Sequence, residues 1–397
     1  MRRIAVAAAV ALLVACGGPE PLPPTAPTAT PPADPTISAP VPTPASPPSS
    51  GEPGSPLPAT HEFTVTEHEK FDEPWALAFL PGTDTIAITE RGGSLKLRDA
   101  SGIREVSGVP EVTVGGQGGL GDLIVGPTFR EDGTVYLSWV ESGDGGTGAV
   151  VGRARLDVAQ ARLTDLERIW VQTPKVSGNG HFSHRLVIHD GHLYVSSGDR
   201  QKLDPAQEFD TTLGKILRLT LDGQPAEGNP FAGEDSPLAA QIWSYGHRNP
   251  LGLEFDSTGR LWSSEMGPQG GDELNEILAG HNYGWPEASN GSHYDGTDIP
   301  DHAAGDGFKA PLVSWTPSVS PGSLLIYQGS MFPAWRDDAF LGALSGEALI
   351  RVDLSSGEQE KWPMGARIRA VEEAPDGSIW LLEDGAAGRL LELRIAG

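Results

Sequence analysis

The strongest constraint on this chain is a repeat. From Trp75 onward, an apolar strand, a Gly- or Asp-bearing turn and a second apolar strand ending in a small or acidic residue recur six times. The copies begin at Trp75, Gly119, His184, Asn249, Ser323 and Ile368. Spread over residues 61–397, they leave about 56 residues per unit, room for four strands and their loops. Asp132-Gly133, Asp376-Gly377 and Ser257-Thr258-Gly259 are hairpin connections by composition. Helical periodicity is nearly absent; Asp157–Trp170 carries the best of it and reads as a helix or a loop. Repeated hairpin sheets at this period predict an all-β fold, a six-bladed β-propeller of four-stranded antiparallel blades. A pair of β-sandwiches is the structural alternative. In a propeller, inner strands and loops distant in sequence converge on one axial channel.

The ends have a different character. Arg2 and Arg3 precede a short apolar run, Ile4–Val14, too short to span a bilayer as a stable helix. Leu13-Val14-Ala15-Cys16 resembles a bacterial lipobox, so residues 1–15 are expected to be a lipoprotein signal peptide. Cys16, the chain's single cysteine, would carry the lipid. An ordinary signal peptide containing a cysteine is the alternative. Residues 16–60 hold nearly half of the 35 prolines, a composition that buries no core and favours an extended, disordered tether. The expected localisation is exported and lipid-anchored, on the periplasmic or extracellular side. One cysteine excludes a disulfide within the chain and a Cys-x-x-Cys-His haem site. Redox chemistry would then need a non-covalent cofactor and an external electron acceptor. A net charge of −25 argues against nucleic acid, which requires a basic footprint.

Chemistry-bearing residues cluster where the units begin. Gln117 lies in a Gly-rich run, His181 just before an inner strand, Asp199 at the end of the following hairpin, and Arg248-Asn249 at the start of the fourth unit. Arg367 and Arg369, two residues apart on an expected strand, share one face. Each has a plain structural reading: a hydrogen-bonded histidine, a tight turn, a solvated ion pair. Gathered around one channel, the arginines instead make a local positive site for a multiply charged carboxylate ligand. Gly267-Pro268, Asp272-Glu273 and Asn282-Tyr283 offer carbonyl and carboxylate oxygens without cysteine or a histidine pair, which favours Ca²⁺ over zinc or copper. The alternative is that Asp272 and Glu273 cap a short turn or helix.

The segments QGGLGD, GHFSHRLVI, SSGD, YGHRNPLGLEF, EMGPQGGDELN, NYGWP and GARIRA together resemble the soluble aldose sugar dehydrogenases that depend on pyrroloquinoline quinone (PQQ). The resemblance implies His181 as general base with Asp199 as its charged partner, and Arg248 near the reactive quinone carbonyl. It implies cofactor contacts from Gln117, Arg248, Asn249, Tyr294, Ala343, Leu344, Arg367 and Arg369. The carbonyls of Gly267 and Pro268 match those around a cofactor-associated Ca²⁺; Glu273 and Tyr283 match a second, structural one. The implied reaction oxidises an aldose at its anomeric C1 hydroxyl to the lactone, with hydride passing to C5 of PQQ and electrons to a quinone, cytochrome or dye. Two residues depart from the pattern. Ser345 stands where many relatives have a lysine, and His184 where a small residue is common. Two other classes compete: a calcium-dependent lactonase, which needs no arginine cluster, and a cofactor-free binding propeller displayed at the cell surface.

Overall fold

Each repeat folds as a four-stranded antiparallel sheet, and six such sheets form a β-propeller. The computed structural model describes residues 63–396. The expected signal peptide, lipidated Cys16 and Pro-rich tether lie outside the described residues. The innermost strands are Pro74–Phe79, Leu120–Val125, Ser183–His189, Pro250–Phe255, Pro321–Ile326 and Ile368–Glu373. Each contacts the next around a closed ring. The sixth blade takes its outermost strand, Phe63–Phe71, from the start of the domain and pairs it with Gly388–Ile395. Hydrogen bonds between the two ends thus close the ring.

The second strands of most blades, such as Ile86–Glu90, Leu261–Glu265 and Ile379–Glu383, are buried along their whole length. Neighbouring blades cover both of their faces, so they read as apolar runs rather than alternating ones. Leu95, Leu97, Leu120, Leu137, Trp139 and Val150 fill the space between the first two blades. Burying each aliphatic side chain there contributes about 1.5–3 kcal/mol, and Leu137→Ala would cost about 2–5 kcal/mol.

The segment with helical spacing, Asp157–Trp170, is instead a turn followed by the strand Arg162–Val171. Its buried Leu163 and Trp170 pair with Leu156 and Val151. Two register shifts lie between these pairs, and Asp165 takes a positive φ of 53°. Each bulge adds a residue to one strand, which converts a spacing of two into three or four and mimics a helix. Asp272 and Glu273 cap no helix; they open the strand Asp272–Ile277.

All six innermost strands share one irregularity. Each shifts register within its first few residues, between Pro74 and Ala76, Leu120 and Leu123, Ser183 and Leu186, Pro250 and Gly252, Pro321 and Ser323, and Ile368 and Ala370. The bulges therefore ring one end of the channel, where they re-aim side chains away from the regular pleat. Among the described residues, no helix is long and apolar enough to cross a membrane.

Candidate active site

The bulged end of the channel holds the predicted chemistry, and its scaffold begins with residues 180–184. His181, Ser183 and His184 all take left-handed backbone conformations, with φ of 51°, 60° and 55°. Side chains disfavour that region, and such strain concentrates at functional sites. Arg200 supplies the compensation. Buried against the Phe182 ring at 3.7 Å, it donates to the carbonyls of Gly180, Thr147 and Gly178. Gln117 accepts the His181 backbone N–H at 2.7 Å.

His181 Nδ1 lies 2.7 Å from Asp199 Oδ1. The Asp199 carboxylate is fully buried and accepts three further hydrogen bonds, from the Gln201 backbone and Trp285 Nε1 at 2.8 Å each and from the Leu203 backbone at 3.4 Å. Burial by itself would raise its pKa, but hydrogen bonds from His181, Gln201 and Trp285 and the charge of His181 hold it below the ordinary range. An ionised Asp199 accepts the hydrogen bond of Nδ1–H, which keeps the proton on Nδ1 and leaves Nε2 as the basic nitrogen. Burial lowers the His181 pKa; Asp199 opposes this and Arg248 adds to it, with a net shift downward. The imidazole is thus neutral and oriented at neutral pH.

Arg248 sits 5.2 Å from the Trp285 ring centroid, so one indole links the Asp199 carboxylate to the Arg248 guanidinium. Arg248 donates to the carbonyls of Met266 (2.9 Å) and Gly267 (2.6 Å) and to the hydroxyl of exposed Tyr294 (3.1 Å). Its backbone N–H is held by Glu265 at 2.8 Å. Asn249 is fully buried and engaged, accepting from Ser183 Oγ at 3.0 Å and approaching Met266 sulfur at 3.8 Å.

Beside these residues a cavity of about 330 Å³ is lined by Gln117, Leu344, Arg367 and Arg369. Arg367 and Arg369 share a face as expected, and both grip Asp384: Arg367 Nε at 2.8 Å, Arg369 Nε and Nη2 at 3.0 Å. Arg91, paired with Glu73, adds a third guanidinium. Three arginines against two carboxylates leave this pocket positive inside an acidic protein. Ala343 packs in the core with Leu341 and Ala348, outside the lining. The volume suits a small cofactor, and the donor set suits carboxylates.

A second, small cavity of about 10 Å³, room for one ion or water, adjoins Arg248. Glu265, Glu273, Gly267 and Tyr283 line it. Burial and the neighbouring Glu265 raise the Glu273 pKa, while His302, 3.5 Å away, opposes. Two mutually repelling buried carboxylates beside carbonyl oxygens fit a hard cation such as Ca²⁺. The Tyr283 hydroxyl does not contribute: it donates to Glu276 O at 2.7 Å and accepts from Leu278 N at 2.8 Å, leaving only the main-chain oxygen. Gly267 O serves Arg248. Asp272 is consumed in tying Gly267 to residues 318–320. Among the described residues, no three acidic, histidine or cysteine side chains converge tightly enough to hold a metal alone, so such a cation would rely on main-chain oxygens.

Sequence reasoning missed Asp384, Glu73, Arg91, Arg200 and the role of Trp285. A signal existed for Asp384. Asp199, Glu265 and Asp384 all stand at or just past the end of a second strand, and each holds a site residue at the start of an inner strand.

The fold places the chain among six-bladed propeller enzymes of the sugar dehydrogenase type. It belongs to the Glucose / Sorbosone dehydrogenase family, whose sequence profile matches residues 71–392. It is 38% identical over 349 residues to aldose sugar dehydrogenase YliI of Escherichia coli (strain K12), covering 85% of this chain and 93% of that protein. Quinoprotein glucose dehydrogenase B of Acinetobacter calcoaceticus is 26% identical over 83% of this chain and 88% of its own length. The apo-form of the soluble Escherichia coli aldose sugar dehydrogenase superposes with a TM-score of 0.80 at 36% identity, over 84% of this chain and all of that one. The PQQ-bound aldose sugar dehydrogenase of Streptomyces coelicolor gives 0.69 at 28% identity, over 86% of this chain and 100% of that one.

Proposed function

We propose that the protein oxidises aldose sugars at the anomeric C1 hydroxyl to the lactone, with PQQ as cofactor, Ca²⁺ as its companion ion and an external electron acceptor. The observation that carries this reading is the His181–Asp199–Trp285–Arg248 assembly, joined through Gln117 and Met266 to an arginine-lined pocket. When bound, PQQ supplies the hydride acceptor. Arg367 and Arg369, with Gln117 and Leu344, would hold its carboxylates and plane. His181 Nε2 takes the proton from the sugar's C1 hydroxyl, and ionised Asp199 stabilises the imidazolium that results. Arg248 offsets negative charge that develops beside it, and Trp285 fixes its distance from the base. The carbonyls of Gly267 and Pro268 would hold the companion ion, and Glu273, with main-chain oxygens, a second, structural cation. At the N-terminus, lipid on Cys16 would tether the exported domain to a membrane.

The test adds PQQ and Ca²⁺ to purified apoprotein and follows dye reduction with a panel of aldoses. A cofactor spectrum with sugar-dependent reduction is expected. Neither spectrum nor activity would favour the binding propeller. Mass spectrometry of the membrane fraction checks the anchor: a diacylglyceryl adduct on Cys16 is expected, and an unmodified cysteine refutes it.

A further inference from the structure

The pocket presents an imidazole that the proposed mechanism does not use. His184 is only 2% exposed and lines the arginine-rich cavity. Its ring stacks on Trp75 with centroids 5.1 Å apart and planes 7° from parallel. On Trp75, in turn, rests the Arg185 guanidinium, 3.8 Å from the ring centroid and tied to Leu251 O, Gly322 O and Asp122. The result is a rigid aromatic floor.

Space for the imidazole exists because residue 121 is glycine; a β-carbon there would lie 1.9 Å from His184 Cε1. Ser138 Oγ accepts from Asp122 N and donates its one proton to His184 O, both within 2.9 Å. His184 Nδ1, 2.8 Å from the same oxygen, is therefore the donor to it. Nε2 is left as a lone-pair acceptor with no partner among the described residues. The two carboxylates and the side-chain amide of the cavity are already engaged: Glu73 by Arg91, Asp384 by Arg367 and Arg369, and the Gln117 oxygen by His181 N.

We propose that His184 is a cofactor-contacting residue: through Nε2 it accepts a hydrogen bond from an N–H or O–H group of the planar anionic cofactor whose carboxylates meet Arg367 and Arg369. The inference rests on the PQQ reading above and adds to it a specificity element, an acceptor set among arginine donors. Burial, reinforced by Arg185, lowers the His184 pKa to about 3, so the ring keeps its acceptor lone pair throughout the working pH range.

Apoprotein titrated with PQQ, followed by tryptophan quenching and by the cofactor absorption band, tests this through two variants. His184→Phe keeps the stack on Trp75 and leaves Ser138 satisfied, but removes the acceptor. His184→Gly removes both, and glycine suits the φ of 55°. The expected result is a PQQ Kd raised about ten-fold or more in both variants, the usual cost of one lost buried hydrogen bond, with thermal unfolding checked to show that each is folded. A loss in His184→Gly with wild-type affinity in His184→Phe would reduce the ring to packing and overturn the proposal. Unchanged PQQ affinity with a raised sugar KM would put the ring on the substrate and also overturn it. Failure of the wild-type protein to bind PQQ at all sinks the cofactor reading and this inference together; binding that neither variant weakens sinks this inference alone.

Discussion

Two cavities lie along the propeller axis, similar in size and opposite in character. The one at the bulged end, about 330 Å³, is lined by Arg91, Arg367 and Arg369 against Glu73 and Asp384. The other, about 390 Å³, lies toward the ends of the inner strands and is lined by Asp122, Glu254, Glu372 and Glu373 against Arg185 alone. Trp75 and His184 border the first, and Arg185 beneath Trp75 borders the second. Volume does not tell these cavities apart; charge and backbone do. The first collects left-handed residues, bulges and carboxylate-held cations, all costs that a cofactor site justifies. The second is built of regular strand, and burial together with the neighbouring carboxylates raises the pKa of Glu372 well above its ordinary value. An anionic ligand belongs in the first.

The comparison can be broken most sharply at His181. His181→Ala should lower turnover of PQQ-loaded enzyme by about 10²–10⁴-fold while PQQ titration stays near wild type; undiminished turnover would remove the base from this end of the channel. Next in size is the charge of the pocket. Arg367→Ala and Arg369→Ala should each weaken PQQ binding by about 10–100-fold, the worth of a charge-assisted hydrogen bond, measured by calorimetry. Equal affinity in both variants would leave the positive cavity without its anion.

Two pH experiments set the cavities against each other. Because the His181 pKa is lowered, the neutral base persists as pH falls past the usual imidazole value. The acid limb of kcat/KM should therefore lie below about 6.5; a limb above that value contradicts the buried geometry. In the other cavity the sign is reversed. Burial raises the Glu254 pKa to about 7 from 4.5, so the folded state binds the proton more tightly than the unfolded chain. Stability is then lost as pH rises from 4.5 to about 7, by about 3 kcal/mol in all. Glu254→Gln should raise Tm at pH 8 by a few degrees more than at pH 5, without altering PQQ affinity. The smallest effect is expected at Ser345, whose hydroxyl bonds Ser320 Oγ at 2.8 Å beside the positive pocket. Ser345→Lys should tighten PQQ binding by up to about ten-fold.

The blades were legible in the sequence because apolar runs and turn residues are local signals. The one misread stretch, Asp157–Trp170, failed because two bulges shifted the period. Arg367 and Arg369 were legible as a same-face pair, but their common partner Asp384 was not. Trp285 was visible in a turn motif, yet its bond to Asp199 spans 86 positions, which no local pattern carries. Ala343 reads as a pocket residue only by resemblance; in the structure it fills the core between blades.

By itself, then, the sequence determined the architecture, the end of the channel where chemistry gathers, and the residue types available there. Strand period, turn composition and charge are properties of neighbouring residues and survive without a fold. The tertiary structure decided which acid holds which cation, which oxygens remain free for a metal, and which imidazole nitrogen is already engaged. Those outcomes depend on hydrogen bonds closed between blades, and only ring closure brings those blades together.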